Sequence, residues 1–202
     1  MTMDFKKTFP EQYQPKPAPS VIDVPTMGFI AVDGVGDPNT SEEYKAAIEV
    51  LYALSYAIKM GNKAVLEYVV PPLEGFWTTV DGAPLDDKSR LVWTSAIRQP
   101  DFVDDAVFAQ AVAVVAKKKP KLDVSGARLV TVEEGLCVQA LHIGSYDDEP
   151  ETIAKMDQFA AENGYVVDMD GDRRHHEIYL SDPRKTDVDK LRTIIRHPVR
   201  AA

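Results

Sequence analysis

The chain reads as two copies of one pattern. FIAVDGVGDPNTSEEY, from Phe29, lies over CVQALHIGSYDDEPET, from Cys137, at an offset of 108 residues (137 − 29) that sets Gly36 on Gly144. In each copy a strand-like run meets a glycine, crosses an acidic turn, enters a helix-like stretch and leads on to further strands. Glu67 of VLEYVV and Glu177 of HHEIYL fall in similar places, at an offset of 110 (177 − 67). Two half-sheets related by a pseudo-twofold axis make one curved sheet, with helices covering the convex face and the concave face left open for a ligand. The predicted fold class is therefore α+β. The predicted organisation is an N-terminal arm at 1–19 and a single domain over 20–202, with pseudo-repeats at about 20–120 and 127–202.

Local signals fill in the elements. The first 20 residues are polar and proline-rich and read as an arm laid over the surface or partly disordered. Val21–Val35 is strand-like and broken at Pro25. Asn39, Thr40 and Ser41 are capping residue types ahead of a helix that runs to about Met60. Tyr44, Ile48, Leu51, Tyr52, Ser55 and Ile58 mark its inward face, and Gly61 and Asn62 stop it. VLEYVV, LEGFWTTV and LVWTSAIR read as strands, the last two joined by the turn-rich DGAPLDDKSR, and 104–118 as a second helix. Two strands flank Glu133–Gly135, and a helix over 151–163 ends at Gly164. YVVDMDGDRRHHEIYL reads as a hairpin turning near Asp170-Gly171. A last short helix is expected over 188–196, with Val188, Leu191 and Ile195 inward.

Side chains alternate across a strand. In HHEIYLSD, His176, Ile178 and Leu180 share one face, and His175, Glu177 and Tyr179 the other. The aliphatic face is expected under the helices, which turns Glu177 and Tyr179 toward the groove, and Glu67 with them by the repeat. Phe76, Trp77 and Trp93 lie near these strands, and Tyr146 follows His142 on the next loop. An aromatic concavity holding a few carboxylates has the anatomy of a small-molecule site. Desolvation there raises a carboxylate's pKa, so it can take up a proton or attract a cation.

Other function classes are disfavoured. A net charge of −9 repels a phosphate backbone, so no nucleic-acid partner is expected. Lys117, Lys118, Lys119 and Lys121 fit a helix C-terminus, where cations complement the dipole. No apolar run is long enough to span a membrane, the N-terminus lacks a signal-peptide core, and the single Cys137 suits a reducing compartment. A cytoplasmic protein follows. His175-His176-Glu177 is set aside as a metal motif because neighbours on a strand diverge. GVGDP lacks the remainder of a phosphate loop, and there is no Gly-x-Ser-x-Gly elbow. Neither metal nor cofactor is expected.

Four segments, EYVVPPLEGFW, VWTSAIRQPDFV, VEEGLCVQALHIGSYDDEPETIAKM and HHEIYLSDPRKTDVDKLRTIIRHPV, resemble stand-alone GyrI-like small-molecule-binding proteins in the family's order. The resemblance implies a GyrI-like fold of two strand–helix–strand–strand repeats, a curved antiparallel sheet with helices on one face and a ligand groove on the other, present as the ligand-binding domain without a DNA-binding module. Glu177 looks like the buried glutamate with which relatives meet cationic drugs, and PLEGFW and HHEIYLSDPRK look most like the branch of cyclopropanoid cyclopropyl hydrolases, which detoxify DNA-alkylating natural products. By this resemblance the catalytic candidates are Glu177, with Glu74 as the alternative base, and Tyr146. Trp77, Trp93, Tyr179, Glu67, Phe76 and His142 are the substrate-binding candidates, with Tyr179 the alternative hydroxyl donor. The implied partner is a small hydrophobic or aromatic ligand bound by a monomer or weak homodimer. Binding of hydrophobic or cationic drugs without turnover, and interaction with DNA gyrase, are the alternatives.

Overall fold

The structure, a computed structural model, describes residues 2–83, 85, 87–171 and 173–202. The chain forms two compact units, Met1–Thr8 with Met27–Val132 and Phe9–Thr26 with Glu133–Ala202. Each contains one strand–helix–strand–strand repeat, and the architecture is α+β as expected.

The first unit holds α1 (Phe5–Thr8), β2 (Met27–Val35), α3 (Glu42–Gly61), β3 (Leu73–Thr79), β4 (Leu91–Arg98), α4 (Asp105–Lys118) and β5 (Arg128–Val132). Its strands run antiparallel in the order β5-β2-β4-β3. Pro84 and Asp86, in the turn-rich segment between β3 and β4, lie outside the described residues. The Ser41 hydroxyl caps α3 by accepting the Tyr44 amide at 3.1 Å, and Asn62 closes the helix by donating to the Ile58 carbonyl at 2.9 Å. Val50, Leu51, Leu54 and Ile58 of α3, with Ala111 and Val115 of α4, bury Ile30 and Ile97 on one face of the sheet.

Two expectations change in this unit. The buried stripe of α3 is rotated from the one read in the sequence: Ala47, Val50 and Leu54 are buried and Tyr52 is exposed. Tyrosine tolerates the edge of a helix's buried face because its ring has a wet end. VLEYVV is not a strand. Only Tyr68 bridges, in parallel to Met3, through Met3 N–H to the Glu67 carbonyl and Val69 N–H to the Met3 carbonyl, both 2.8 Å. Pro71-Pro72 follows and removes two ladder donors, which denies the segment a longer pairing. The arm is folded down: Phe5 is buried against Tyr68 and beneath the Arg98 guanidinium.

The second unit holds α2 (Pro10–Tyr13), β1 (Ser20–Val24), β6 (Gly135–Ile143), α5 (Glu149–Glu162), β7 (Tyr165–Val167), β8 (His175–Tyr179) and β9 (Arg192–Ala201). Its antiparallel order is β1-β6-β9-β8, with β7 also on β9. Met156 and Ala160 of α5 pack on Val138, Ala140, Ile195 and Val199, and Gly164 leaves the helix at a φ of 77° that favours glycine. Two expectations fail here. β7 and β8 do not form a hairpin with each other, because both lie along β9, β7 at 199–201 and β8 at 193–196; Asp172, between them, is outside the described residues. The expected last helix is a 3₁₀ turn over Val188–Lys190 followed by the strand β9. Residues 193–199 of β9 are all buried, so this segment lacks the one-sided alternation that identifies a strand in sequence.

The far face of the second unit is polar inside. Arg196, fully buried, donates to Glu134 Oε2 at 3.1 Å, Gln139 Oε1 at 3.0 Å and the Gln12 carbonyl at 3.0 Å. His176 Nδ1 lies 2.9 Å from Glu134 Oε1. Burial raises the Glu134 pKa, but the charges and hydrogen bonds of His176 and Arg196 outweigh it and hold the group at about 2. A depressed carboxylate contributes stability above its ordinary pKa near 4.5 and loses it as pH falls toward 2. Urea unfolding followed from pH 6 to pH 2.5 should therefore show a steep loss below about pH 4.5. Glu134→Gln should flatten that slope and cost about 3–5 kcal/mol at neutral pH, as Arg196 would be left uncompensated.

Candidate functional site

The offset of 108 seen in the sequence carries Met27–Val35 onto Gly135–Ile143, the two leading strands of the repeats. Register then identifies equivalent positions. Glu177 pairs with Ile195 and Ile195 with Ala140. In the first unit Gly75 pairs with Ser95 and Ser95 with Val32. Gly75 is therefore the counterpart of Glu177, and by the same steps Trp77 is the counterpart of Tyr179 and Trp93 of Thr193. Glu67 is not: it lies outside any strand and is exposed.

Directly paired residues share a sheet face. Glu177 shares its face with Ile195, which is covered by α5, so the expectation that Glu177 points away from the helices is corrected. The helix brings its own groups. Glu149, in the first turn of α5, is buried, and Glu149, His175 and Glu177 each place a donor atom within 4.8 Å of the others. The strand alternation of His175, Glu177 and Tyr179 is as read from sequence. His175 Nε2 lies 2.8 Å from Glu177 Oε1, and the Tyr179 hydroxyl donates to Glu177 Oε2 at 2.6 Å. The Tyr146 ring meets the Tyr179 ring edge-on at 5.9 Å. Behind His175, its Nδ1 lies 2.7 Å from His197 Nε2, and His197 Nδ1 faces Asp157 Oδ1 at 3.6 Å.

The electrostatics reverse the expected shift of Glu177. Burial raises its pKa, but the hydrogen bond and charge of His175, with hydrogen bonds from Tyr179 and Glu149, bring it below the usual carboxylate value. Glu177 is thus ionised at neutral pH. Burial pushes the His197 imidazole down, against the pull of Asp157, so it is neutral at neutral pH. The buried Cys137 thiol is pushed up to about 12, chiefly by desolvation, and is inert as expected.

The other candidates are placed as follows. His142 is buried, its Nδ1 2.8 Å from the Thr152 hydroxyl and its Nε2 2.8 Å from the Ser145 carbonyl, which ties β6 to α5. Trp77 and Trp93 meet in the first unit, where Tyr44 of α3 lies 6.0 Å from one ring and 5.0 Å from the other. Phe76 and Glu74 are buried on the opposite face of β3, with Phe76 edge-on to Phe29 at 5.7 Å. Glu74 therefore belongs to neither a turn nor the Trp77 face. Sequence reading missed Glu149 and His197. His197 was hidden by the helical reading of its strand. Glu149 carried no signal beyond being an acidic residue suited to a first helical turn.

The family model described as the GyrI-like small molecule binding domain matches residues 17–200. The chain belongs to the GyrI-like family. It is similar to an uncharacterized conserved protein from Listeria innocua at 46% identity, covering 98% of this chain and 100% of that one, with a TM-score of 0.94. A hydrolase from Listeria innocua is 45% identical, with the same coverage and a TM-score of 0.91. The EcmrR C-terminal domain shares the fold at 15% identity and a TM-score of 0.58, covering 91% of this chain and 98% of that one. Among curated proteins none matches. As a GyrI-like domain the chain binds a small molecule, and among the described residues no helix is long and apolar enough to cross a membrane.

The aromatic cluster depends on one glycine. A Cβ on Gly34 would stand 2.1 Å from Trp93 Cζ2 and 2.2 Å from Cη2, inside the indole. Gly34→Ala should displace Trp93 and destabilise the protein by about 1–3 kcal/mol. Denaturation monitored by tryptophan fluorescence checks this, with a changed native emission spectrum as the local signature.

Proposed function

We propose that this GyrI-like protein hydrolyses cyclopropanoid DNA-alkylating compounds by adding water to the strained ring. The observation that carries the reading is the partly buried, ionised Glu177 carboxylate, oriented by His175 and Tyr179. The hydrolase name of the Listeria innocua neighbour agrees with it. In the proposed step Glu177 takes a proton from water. The water oxygen bonds to the cyclopropane methylene, the strained carbon–carbon bond breaks, and its electron pair runs through the dienone to the carbonyl oxygen. Tyr179 or Tyr146 donates a proton to that oxygen. Glu177 returns its proton to the tyrosine, so no net proton enters or leaves. A positioned base of this kind contributes about 10²–10⁴-fold.

One observation favours binding without turnover. Both oxygens of Glu177 already have partners, which limits their freedom to accept a proton from water. A negative carboxylate in that setting suits a hydrophobic cation.

Purified protein should convert a duocarmycin-type cyclopropanoid to its water adduct, followed by chromatography and mass. Glu177→Gln should abolish the adduct while binding persists. Wild-type turnover in Glu177→Gln would remove Glu177 as the base, and binding without product in the native protein would replace hydrolysis by sequestration.

A further inference from the structure

The rejection of a metal motif in the sequence rested on His175 and His176, adjacent residues whose side chains leave a strand on opposite faces. The structure pairs different residues. His175 and Glu177 are two apart on β8 and share a face, and Glu149 reaches them from the first turn of α5. We propose that His175 Nε2, Glu177 Oε1 and a Glu149 carboxylate oxygen form a site for one zinc-like divalent cation.

Three observations carry this. First, the donor set is one imidazole nitrogen and two carboxylate oxygens, the mixed chemistry that zinc accepts with a position left for water. Second, the donors converge. Ligand atoms at about 2.0–2.2 Å from one ion sit roughly 3–4.4 Å from each other. Here they lie within 4.8 Å, and the His175–Glu177 pair at 2.8 Å has only to open slightly. Third, the outer contacts are those of ligands. Metal-binding histidines fix their second nitrogen with a partner, and ligating carboxylates are themselves hydrogen-bonded. His175 Nδ1 is engaged by His197, which faces Asp157, and Glu177 Oε2 is engaged by Tyr179. Both residues therefore hold their remaining donor atom turned inward.

This inference does not rest on the hydrolase reading, because the measurement needs no organic ligand. Full-length protein stripped with a chelator is titrated with zinc chloride by calorimetry, with thermal unfolding in parallel. The expected result is saturation at one ion per chain, a raised Tm, and no competition from magnesium, which prefers an all-oxygen octahedron. Glu149→Gln and His175→Gln, each checked for native circular dichroism, should weaken binding by more than tenfold. His197→Gln should weaken it about tenfold through loss of the outer contact. Cys137→Ser should bind as the native protein does. Absence of saturable binding overturns the proposal, as does unchanged affinity in both Glu149→Gln and His175→Gln, or loss of binding in Cys137→Ser.

Discussion

The buried contact between Arg196 and Glu134 constrains the second unit more than any other. A guanidinium with no exposure must find a partner for its charge and acceptors for its N–H groups. It finds them in Glu134, Gln139 and the carbonyl of Gln12. Those residues come from the turn before β6, from β6 itself and from the N-terminal segment, so one side chain on β9 sets the placement of three pieces of chain. His176 completes the set from β8. With that face of the two strands committed to a closed polar network, His175, Glu177 and His197 are forced to the other face, under α5. The alternation of a strand thus separates two ionic clusters made from neighbouring residues. One has all its charges matched internally, and the other ends at groups able to meet a ligand.

Duplication explains why the Glu177 cluster sits in one repeat. Register makes Gly75 the counterpart of Glu177 and Trp77 that of Tyr179. The same backbone position therefore presents nothing in the first unit and a carboxylate in the second. Tyr44, Trp77 and Trp93 turn the first unit's position into an aromatic cluster, permitted by the missing Cβ of Gly34. A duplicated fold can diverge in this way without changing its core, because the core residues Ile30 and Ile97 lie further along the same strands, where α3 and α4 cover them.

Much of this was legible in the sequence. The offset of the repeats, the α3 and α5 helices, the strand pair around Glu133–Gly135 and the shared face of His175, Glu177 and Tyr179 all follow from local pattern. The failures in the second unit share a cause. β9 is paired on both sides and buried on both faces, so Thr193–Val199 has no alternation, and Leu191 and Ile195 mimic helical spacing. Losing β9 hid His197 and made β7 and β8 look like partners, whereas Glu67 was matched with Glu177 because VLEYVV was read as a strand. The shift of Glu177 was misjudged for another reason: desolvation depends on burial alone, which strand pattern suggests, whereas the opposing hydrogen bonds depend on contacts across the fold.

Glu149 shows how that gap bears on chemistry. An isolated buried carboxylate in this position would neutralise itself by binding a proton. Glu177 avoids that because His175 and Tyr179 stabilise its charged form, and a second carboxyl is then tolerated beside it at the start of α5, where the helix dipole favours negative charge. The two acids are thereby unequal in their surroundings, although their residue type is the same. The reaction proposed for Glu177, the attraction of cationic ligands and the zinc-like site all draw on a carboxylate kept charged, a property that arises from the side chains around Glu177 and not from the glutamate itself.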